Sequence, residues 1–398
     1  MDELQLVREL LAERAAPRPE VVAGARARTL SGSARPRRRH RAAIRVVLPV
    51  SAVTAAVAAA VVTTVILPAS PPELGVFQLP AGAAGARVGS AADGKRILLT
   101  AARTTAGARP PVTGRYWVSP AVVGNFLRVG PSGGHYVVLE KVSNQQWSSN
   151  SPRDSSPDVT QALGVQLASP ADLAAWRRAG SPTTWDTGQS TSIADPRGLT
   201  SGSLYHLKAG PAPPATGTVL YNRDQTFGVG DKLLSARQLL KLPTDPARLT
   251  ALLLAGYSPT RGDGGPDSYL FQTVPGILAM PVTPAVRSAL YRILAGLPGV
   301  HSLGEVRDAG GQQGVAVTLD GGYTHCASRF GASGISWTFS SCVVQQRLVI
   351  DPATGLPLAQ ELRYLRLPPG QTWSPPDGLF SFQLFGTAHW TNSSPPVR

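Results

Sequence analysis

The two cysteines are the residues whose type and spacing most directly suggest chemistry. Cys326 and Cys342 are the only cysteines in the 398 residues. Alternating apolar and polar residues around both predict strands, so a disulfide would close a short loop between them. Loop-closure estimates give such a bridge about 3 kcal/mol of stabilisation. Two free thiols are one alternative, and a metal site with His325 is another, although a second pair of ligands is missing.

The other reactive side chains form no recognised catalytic pattern. The six histidines are His40, His135, His206, His301, His325 and His389. None has the H-E-x-x-H spacing of a zinc protease, and the chain has no G-x-S-x-G elbow, phosphate loop or dinucleotide fingerprint. The acidic residues stand singly in predicted loops, so no carboxylate pair can be assigned. We therefore expect no enzymatic activity, no catalytic residue, no cofactor and no metal.

An uncharged run of 22 residues, 46–67, organises the rest of the chain. At 1.5 Å per residue, a helix of this length is roughly enough to cross a hydrocarbon core of ~30 Å. The basic residues that precede it are Arg35, Arg37, Arg38, Arg39, Arg41 and Arg45. Since such a flank stays in the cytoplasm, we expect a single-pass signal anchor in the plasma membrane, with the N-terminus inside. A buried helix of a soluble domain and a cleaved signal peptide are the alternatives.

The expected span divides the chain into four parts. Residues 1–45 form a cytoplasmic helical and basic segment, 46–67 the transmembrane helix, 68–94 a Gly-, Ala- and Pro-rich linker, and 95–398 an extracytoplasmic domain. Lys and Arg number 38 against 24 Asp and Glu. The 11 arginines of the cytoplasmic segment suit anionic membrane lipid. Beyond residue 45, the excess of basic over acidic residues is spread thinly along the sequence, so we expect no nucleic-acid partner.

The cytoplasmic segment opens with an amphipathic pattern. Leu4, Val7, Leu10 and Leu11 follow helical spacing, with acidic residues in the first turn. A helix this short buries little apolar surface alone and is marginal in water. It is therefore either a membrane-proximal tail or a docking helix for a cytoplasmic partner.

The outer region combines strand and helix patterns, which predicts an α+β fold with an antiparallel sheet and inserted helices. Strand-like runs begin at Tyr116 and return in the last hundred residues, where FSFQLFGTAHW is predicted to be the closing strand. Between them, a cap residue followed by proline marks three helix starts. These starts are Ser169-Pro170, Asp245-Pro246 and Thr283-Pro284.

Several stretches carry a resemblance to a known family. They are MDELQLVRELLAER at 1–14, TGRYW at 113–117, AAWRRAGSPTTW at 174–185, LPTDPARLTALL at 242–253, TPAVRSALYRILAGLPGV at 283–300 and LVIDPATGLPLAQE at 348–361. Together with the single span, they resemble a family of uncharacterised actinobacterial membrane proteins that are often encoded beside an extracytoplasmic-function sigma factor. The family has no agreed catalytic residues. The resemblance implies a regulatory role with a sigma factor as cytoplasmic partner.

The order of elements in the outer region also resembles the half-open barrels of periplasmic lipoprotein carriers and of regulators that bind anti-sigma factors. That likeness implies an acyl or lipoprotein ligand, but it is an analogy at the level of the fold. We therefore expect a membrane-anchored sensor or regulator that modulates a sigma factor. A membrane-tethered lipid or lipoprotein binder without signalling is the alternative, followed by a structural envelope protein or an unrecognised enzyme.

Overall fold

The structure is a computed structural model of the chain. It describes residues 74–83, 88–109, 112–131, 133–194, 200–218, 226–259, 264–323, 327–331, 334–338, 342–367 and 371–396. All of them belong to one unit of contacts, Pro68–Arg398. The predicted span, its arginine flank and the stripe Leu4, Val7, Leu10 and Leu11 lie outside the described residues. Within the described ranges, no helix has the length and apolar character needed to cross a membrane.

A large antiparallel sheet dominates the described residues. The strands are β1 Tyr116–Val129, β2 Tyr136–Ser149, β3 Pro157–Leu167, β4 Thr184–Ala194, β5 Thr200–Lys208, β6 Ala215–Thr218, β7 Phe227–Val229, β8 Lys232–Leu234, β9 Val300–Arg307, β10 Gln313–Tyr323, β11 Ala327–Gly331, β12 Gly334–Thr338, β13 Cys342–Ile350, β14 Pro357–Arg366, β15 Leu379–Phe385 and β16 His389–Thr391. The main sheet has ten strands in the order β6-β3-β2-β1-β15-β14-β13-β10-β9, with β16 also paired to β1. The pairs β4–β5, β7–β8 and β11–β12 form separate hairpins. The predicted α+β class with an antiparallel sheet is confirmed.

Strand β1 joins the early and late parts of the chain. One edge of β1 pairs along its whole length with β2, and the other edge pairs with β15 and then β16. The predicted closing strand is therefore interrupted at residues 386–388. Opposite the interruption, Gly386 donates its backbone N–H to the carbonyl of Pro120 at 2.8 Å. Proline cannot donate to a ladder, so Pro120 is tolerated in β1 where the neighbouring strand breaks.

Six α-helices accompany the sheet in the part of the chain that the structure describes. They are α1 Ala91–Ala106, α2 Pro170–Arg178, α3 Ala236–Leu239, α4 Pro246–Leu254, α5 Pro266–Leu278 and α6 Pro284–Gly296. The three predicted starts are confirmed, because Ser169, Asp245 and Thr283 each accept a hydrogen bond from the backbone N–H three residues later. Helix α5 was not predicted, since its glycine-rich approach and internal Pro275 obscure the helical pattern.

Helices α1, α4, α5 and α6 pack on one face of the sheet, which we call the helix face. Buried leucines of α4 and α6 meet Val317 of β10 and Leu348 of β13 in one apolar cluster, together with Trp117 of β1. Helix α2 and the β4–β5 hairpin bury Trp176 and Trp185 in a second cluster over β1, β2 and β3. The cores of the two clusters thus lie over different strands of the sheet.

An extended segment, Leu74–Ala83, which we call the strap, pairs with the edge of β3 at its start and covers the opposite face of the sheet from Phe77 onward. The backbone of Phe77 donates to Leu167 of β3 at 2.8 Å, and the Phe77 ring meets Phe126 edge-on at 5.4 Å. At its other end, the carbonyl of Gly82 accepts from the backbone of Arg307 in β9. The composition of residues 68–94 predicts a linker. In the structure, Phe77 and Leu79 of this range pack against buried side chains of the sheet, and helix α1 begins at Ala91.

Candidate functional site

The candidate functional site is a cavity of about 360 Å³ on the helix face. Its floor consists of neighbouring residues on β1, β2 and β15, and its roof is the end of helix α5 with the start of β7. Among the described residues that line it, none is charged. The volume lies in the range of cavities that take small ligands.

Strand register brings the polar part of the floor together. Ser119 of β1 lies opposite Gln146 of β2, and the next residue pair on the same face is Ala121 with Asn144. Residues two apart on a strand share a face, so the side chains of Ser119, Asn144 and Gln146 lie together and form one polar corner of the cavity. Asn144 also donates to a carboxylate oxygen of Asp158 on β3 at 3.0 Å, which orients its amide group.

The apolar part of the cavity lies beside this corner. Val123 and Phe385 contribute from β1 and β15, while Phe227 and Met280 contribute from the roof. Pro120 lines the cavity where β15 and β16 separate. The arrangement can hold a molecule that has an apolar body and uncharged hydrogen-bonding groups.

Thr226, in the roof, has an unused hydrogen-bonding group. The residue is 7% exposed, and its Oγ1 has no hydrogen-bond partner within the described part of the chain. A buried hydroxyl without a partner costs about 1–3 kcal/mol. A ligand that reached this oxygen would remove that cost.

Two side chains fix the roof at the end of α5. The indole Nε1 of Trp117 donates to the carbonyl of Ala279 at 3.3 Å. The buried guanidinium of Arg287 donates from Nε to Leu278 and from Nη2 to Met280, at 3.2 and 3.0 Å. Burial lowers the pKa of Arg287 from its usual value. These bonds satisfy carbonyls that a helix end leaves free, and they hold Met280 and Ala279 over the cavity.

A second cavity, of about 350 Å³, is lined by Gln145 of β2, by Gln161 of β3 and by Pro396, which lies two residues before Arg398. Gln145 and Gln161 belong to the sheet face opposite Asn144, and none of the described residues that line this cavity is charged. The carbonyl of Pro396 accepts from the Thr216 hydroxyl at 3.1 Å. Pro396 therefore forms one wall of this cavity, whereas the helix-face cavity is lined mainly by the sheet and by the end of α5.

A buried charge cluster lies under the strap. Glu361 of β14 is fully buried, and its Oε2 lies 2.9 Å from Nη2 of Arg363 and 3.4 Å from Nη1 of Arg347. Both arginines also donate to the carbonyl of Ala83, and Arg363 pairs with Asp377. Burial, reinforced by the charge of Arg363, lowers the pKa of Arg347 to about 10. Each of these charges has an opposite partner, so we assign the cluster to the packing of the strap rather than to ligand binding.

The structure describes only some of the site residues that the sequence predicts. Cys342 is buried at the start of β13, but Cys326 lies outside the described residues, so the bridge between the two cysteines stays a prediction. Across the described ranges, no group of three or more histidine, cysteine or acidic side chains could hold a metal. Sequence reasoning missed the cavity residues. The proline inside the strand-like run YWVSPAVVGN was the one signal that something interrupts the sheet there.

Comparison with known proteins finds no matching family model, no matching curated protein and no matching solved structure.

Proposed function

We propose that this chain is a membrane-anchored sensor or regulator whose extracytoplasmic domain binds a ligand in the helix-face cavity and thereby modulates a sigma factor. The observation that supports binding is the cavity itself, with about 360 Å³ between three strands and a fixed helix end and no charge on the part of its lining that the structure describes. An acyl chain or the acylated part of a lipoprotein has the apolar body that Val123, Phe385 and Met280 would contact.

The regulatory part of the proposal draws on the sequence. The resemblance to single-span actinobacterial proteins encoded beside sigma factors, and the likeness of the outer region to half-open barrels, favour a sensor on the outer side of the membrane. The stripe Leu4, Val7, Leu10 and Leu11 supplies a surface for a cytoplasmic partner. A membrane-tethered lipid or lipoprotein binder without signalling is the second candidate, because the cavity alone requires no cytoplasmic arm.

Native mass spectrometry of the full-length protein purified from its own membranes tests the binding. We expect a co-purified ligand that is lost when Ala121→Phe fills the cavity from the floor. Val159→Phe, on the wall of the second cavity, is the matched control and should retain the ligand. Protein with no bound small molecule, or equal retention by both variants, would contradict the assignment.

Capture of a partner separates the two candidates. A tagged peptide of residues 1–45 should retain a sigma factor from lysate, and the double change Leu10→Asp with Leu11→Asp should abolish capture. The basic flank is intact in that variant, so a purely electrostatic contact would survive it. Failure to retain a sigma factor, with ligand binding intact, would leave the tethered binder.

A further inference from the structure

The polar corner of the helix-face cavity indicates which ligands the cavity admits. The described residues of its lining offer hydroxyl and amide groups from Ser119, Asn144, Gln146, Thr226 and Gln383, and none of them carries a charged side chain. Amides donate and accept at once, so they match hydroxyls, esters and other amides equally well. An ionised group that entered the cavity would lose water and gain no opposite charge, which is strongly unfavourable.

An acidic side chain beside the polar corner, that of Asp158, reinforces this selection. Asp158 lies opposite Gln146 in the pairing of β2 with β3, and one of its carboxylate oxygens accepts from Asn144. Its other oxygen, Oδ1, is buried and has no hydrogen-bond partner in the described part of the chain. A second anion beside the corner would therefore meet repulsion from Asp158, whereas a hydroxyl or amide N–H could pair with the corner.

We infer that the cavity selects an uncharged amphiphile, with its hydroxyl or amide groups at the corner formed by Ser119, Asn144 and Gln146, and excludes amphiphiles with an ionised acidic head. The apolar body of the ligand lies against Val123 and Phe385. This inference rests on the proposed binding function and names the class of ligand for the same cavity. Thr226 offers the ligand one further hydrogen bond from the roof.

Two amphiphiles with the same acyl chain test the selection directly. The probes are 1-palmitoylglycerol and palmitate, offered to the full-length protein in an amphipathic polymer at mildly alkaline pH, where palmitate is ionised. Equilibrium dialysis measures both dissociation constants. We expect the glyceride to bind at least about tenfold more tightly, a difference that corresponds to about 1.4 kcal/mol.

Substitutions then assign the selection to the corner. Gln146→Leu should weaken glyceride binding about fivefold or more and leave palmitate nearly unchanged, since it removes a hydrogen-bonding group and keeps the side-chain size. Gln383→Lys introduces a partner for a carboxylate and should bring palmitate to equal or tighter binding. Gln161→Leu is the control, because Gln161 lies on the opposite face, and it should change neither constant. Thermal unfolding curves verify that each variant is folded.

The outcomes distinguish this inference from the proposed function. Equal binding of the two probes by the unaltered protein, or unchanged selectivity in both Gln146→Leu and Gln383→Lys, would overturn the inference and leave the binding function intact. Binding of neither probe would contradict the proposed acyl ligand itself, and the inference with it.

Discussion

Glu361 shows how much one buried charge contributes to the fold. It lies between two buried arginines on the face beneath the strap, and its Oε1 accepts from the backbone N–H of Ala309 at 2.8 Å. Desolvation of three charges is offset only while each one keeps an opposite partner. The carboxylate therefore ties β13, β14 and the β9–β10 turn together.

We predict that Glu361→Gln lowers the free energy of unfolding by about 3–5 kcal/mol, because it leaves two buried guanidinium groups with too little negative charge. Urea denaturation measures the change. Arg96→Gln is the matched control, because the Arg96–Asp93 pair at 2.6 Å is exposed and screened by solvent, so its loss should leave the free energy of unfolding nearly unchanged. Equal effects of the two substitutions would contradict the role of the cluster.

The predicted bridge between Cys326 and Cys342 also acts at the residue scale. We expect Cys342→Ser to lower the stability of the domain by about 2–4 kcal/mol, and Cys326→Ser to do the same, because either change opens the same loop. The double substitution should then cost no more than one single. Peptide mapping under non-reducing conditions should show one linked pair. Two alkylatable thiols in the native protein would refute the pairing.

The packing of β15 against β1 requires a glycine at position 124. A Cβ atom on Gly124 would lie 2.1 Å from Cζ of Phe382, which is buried opposite it on β15. Such an approach is far shorter than any real contact, so the ring occupies the space that a side chain would need. The absence of a side chain at Gly124 lets Phe382 fill the core beneath the strap.

We predict that Gly124→Ala destabilises the protein by about 1–3 kcal/mol, as overpacking of a core does. Phe382→Leu in the same chain should recover part of that loss, because it frees the space. Gly228→Ala in β7 is the control, since no atom lies within 4 Å of the added carbon, and it should be nearly neutral. Thermal unfolding of Gly124→Ala, of Phe382→Leu alone, of the double variant and of the control measures the coupling between the two positions. Purely additive effects of the two substitutions would exclude that coupling.

The start of α6 gives a second test at this scale. The Thr283 hydroxyl accepts from the backbone N–H of Val286 at 3.2 Å, and Pro284 occupies the first turn. Thr283→Ala should cost about 0.5–2 kcal/mol in urea denaturation, whereas Thr283→Ser keeps the acceptor and should cost much less. Equal losses of stability in Thr283→Ala and Thr283→Ser would mean that the methyl group of Thr283 stabilises the protein and that its capping hydroxyl does not.

The helix starts were predictable from sequence because their signals are local. A cap residue, a proline and a stripe of leucines all lie within one turn or two, as at Asp245-Pro246. The cavity was not predictable, because Ala121 meets Phe385 only through the pairing of β1 with β15. The strap was hidden for a related reason, since Phe77 looks like a linker residue until Phe126 is placed beside it.

At the scale of the whole molecule, the strap is the part of the described chain closest in sequence to the predicted span. It pairs with β3 near Leu167, and its Ala83 carbonyl accepts from Arg347 and Arg363. The segment that follows the predicted anchor is thus built into the core of the domain. Any ligand-dependent change in the sheet would act on it directly.

We predict that the chain crosses the membrane once, with its N-terminus in the cytoplasm and the large domain outside. A reporter that is active only outside the cytoplasm should work when fused after Arg398, and one that is active only inside should be silent, because the arginine flank retains the N-terminus. Replacing Arg35, Arg37, Arg38, Arg39 and Arg41 by glutamine should give mixed orientation. The opposite pattern in the unaltered protein would reverse the proposed topology.

The two-sided pairing of β1 has a consequence for how the protein reaches its native state. Arg115, just before β1, bonds through its backbone to Asn392, 277 residues later in the sequence. A newly made chain can form the β1–β2 hairpin early, but the other edge of β1 stays open until β15 and β16 arrive. Contacts of such long range make folding slow, and an open edge invites pairing with other chains. Productive folding therefore depends on keeping that edge from other partners until the last strands have been synthesised.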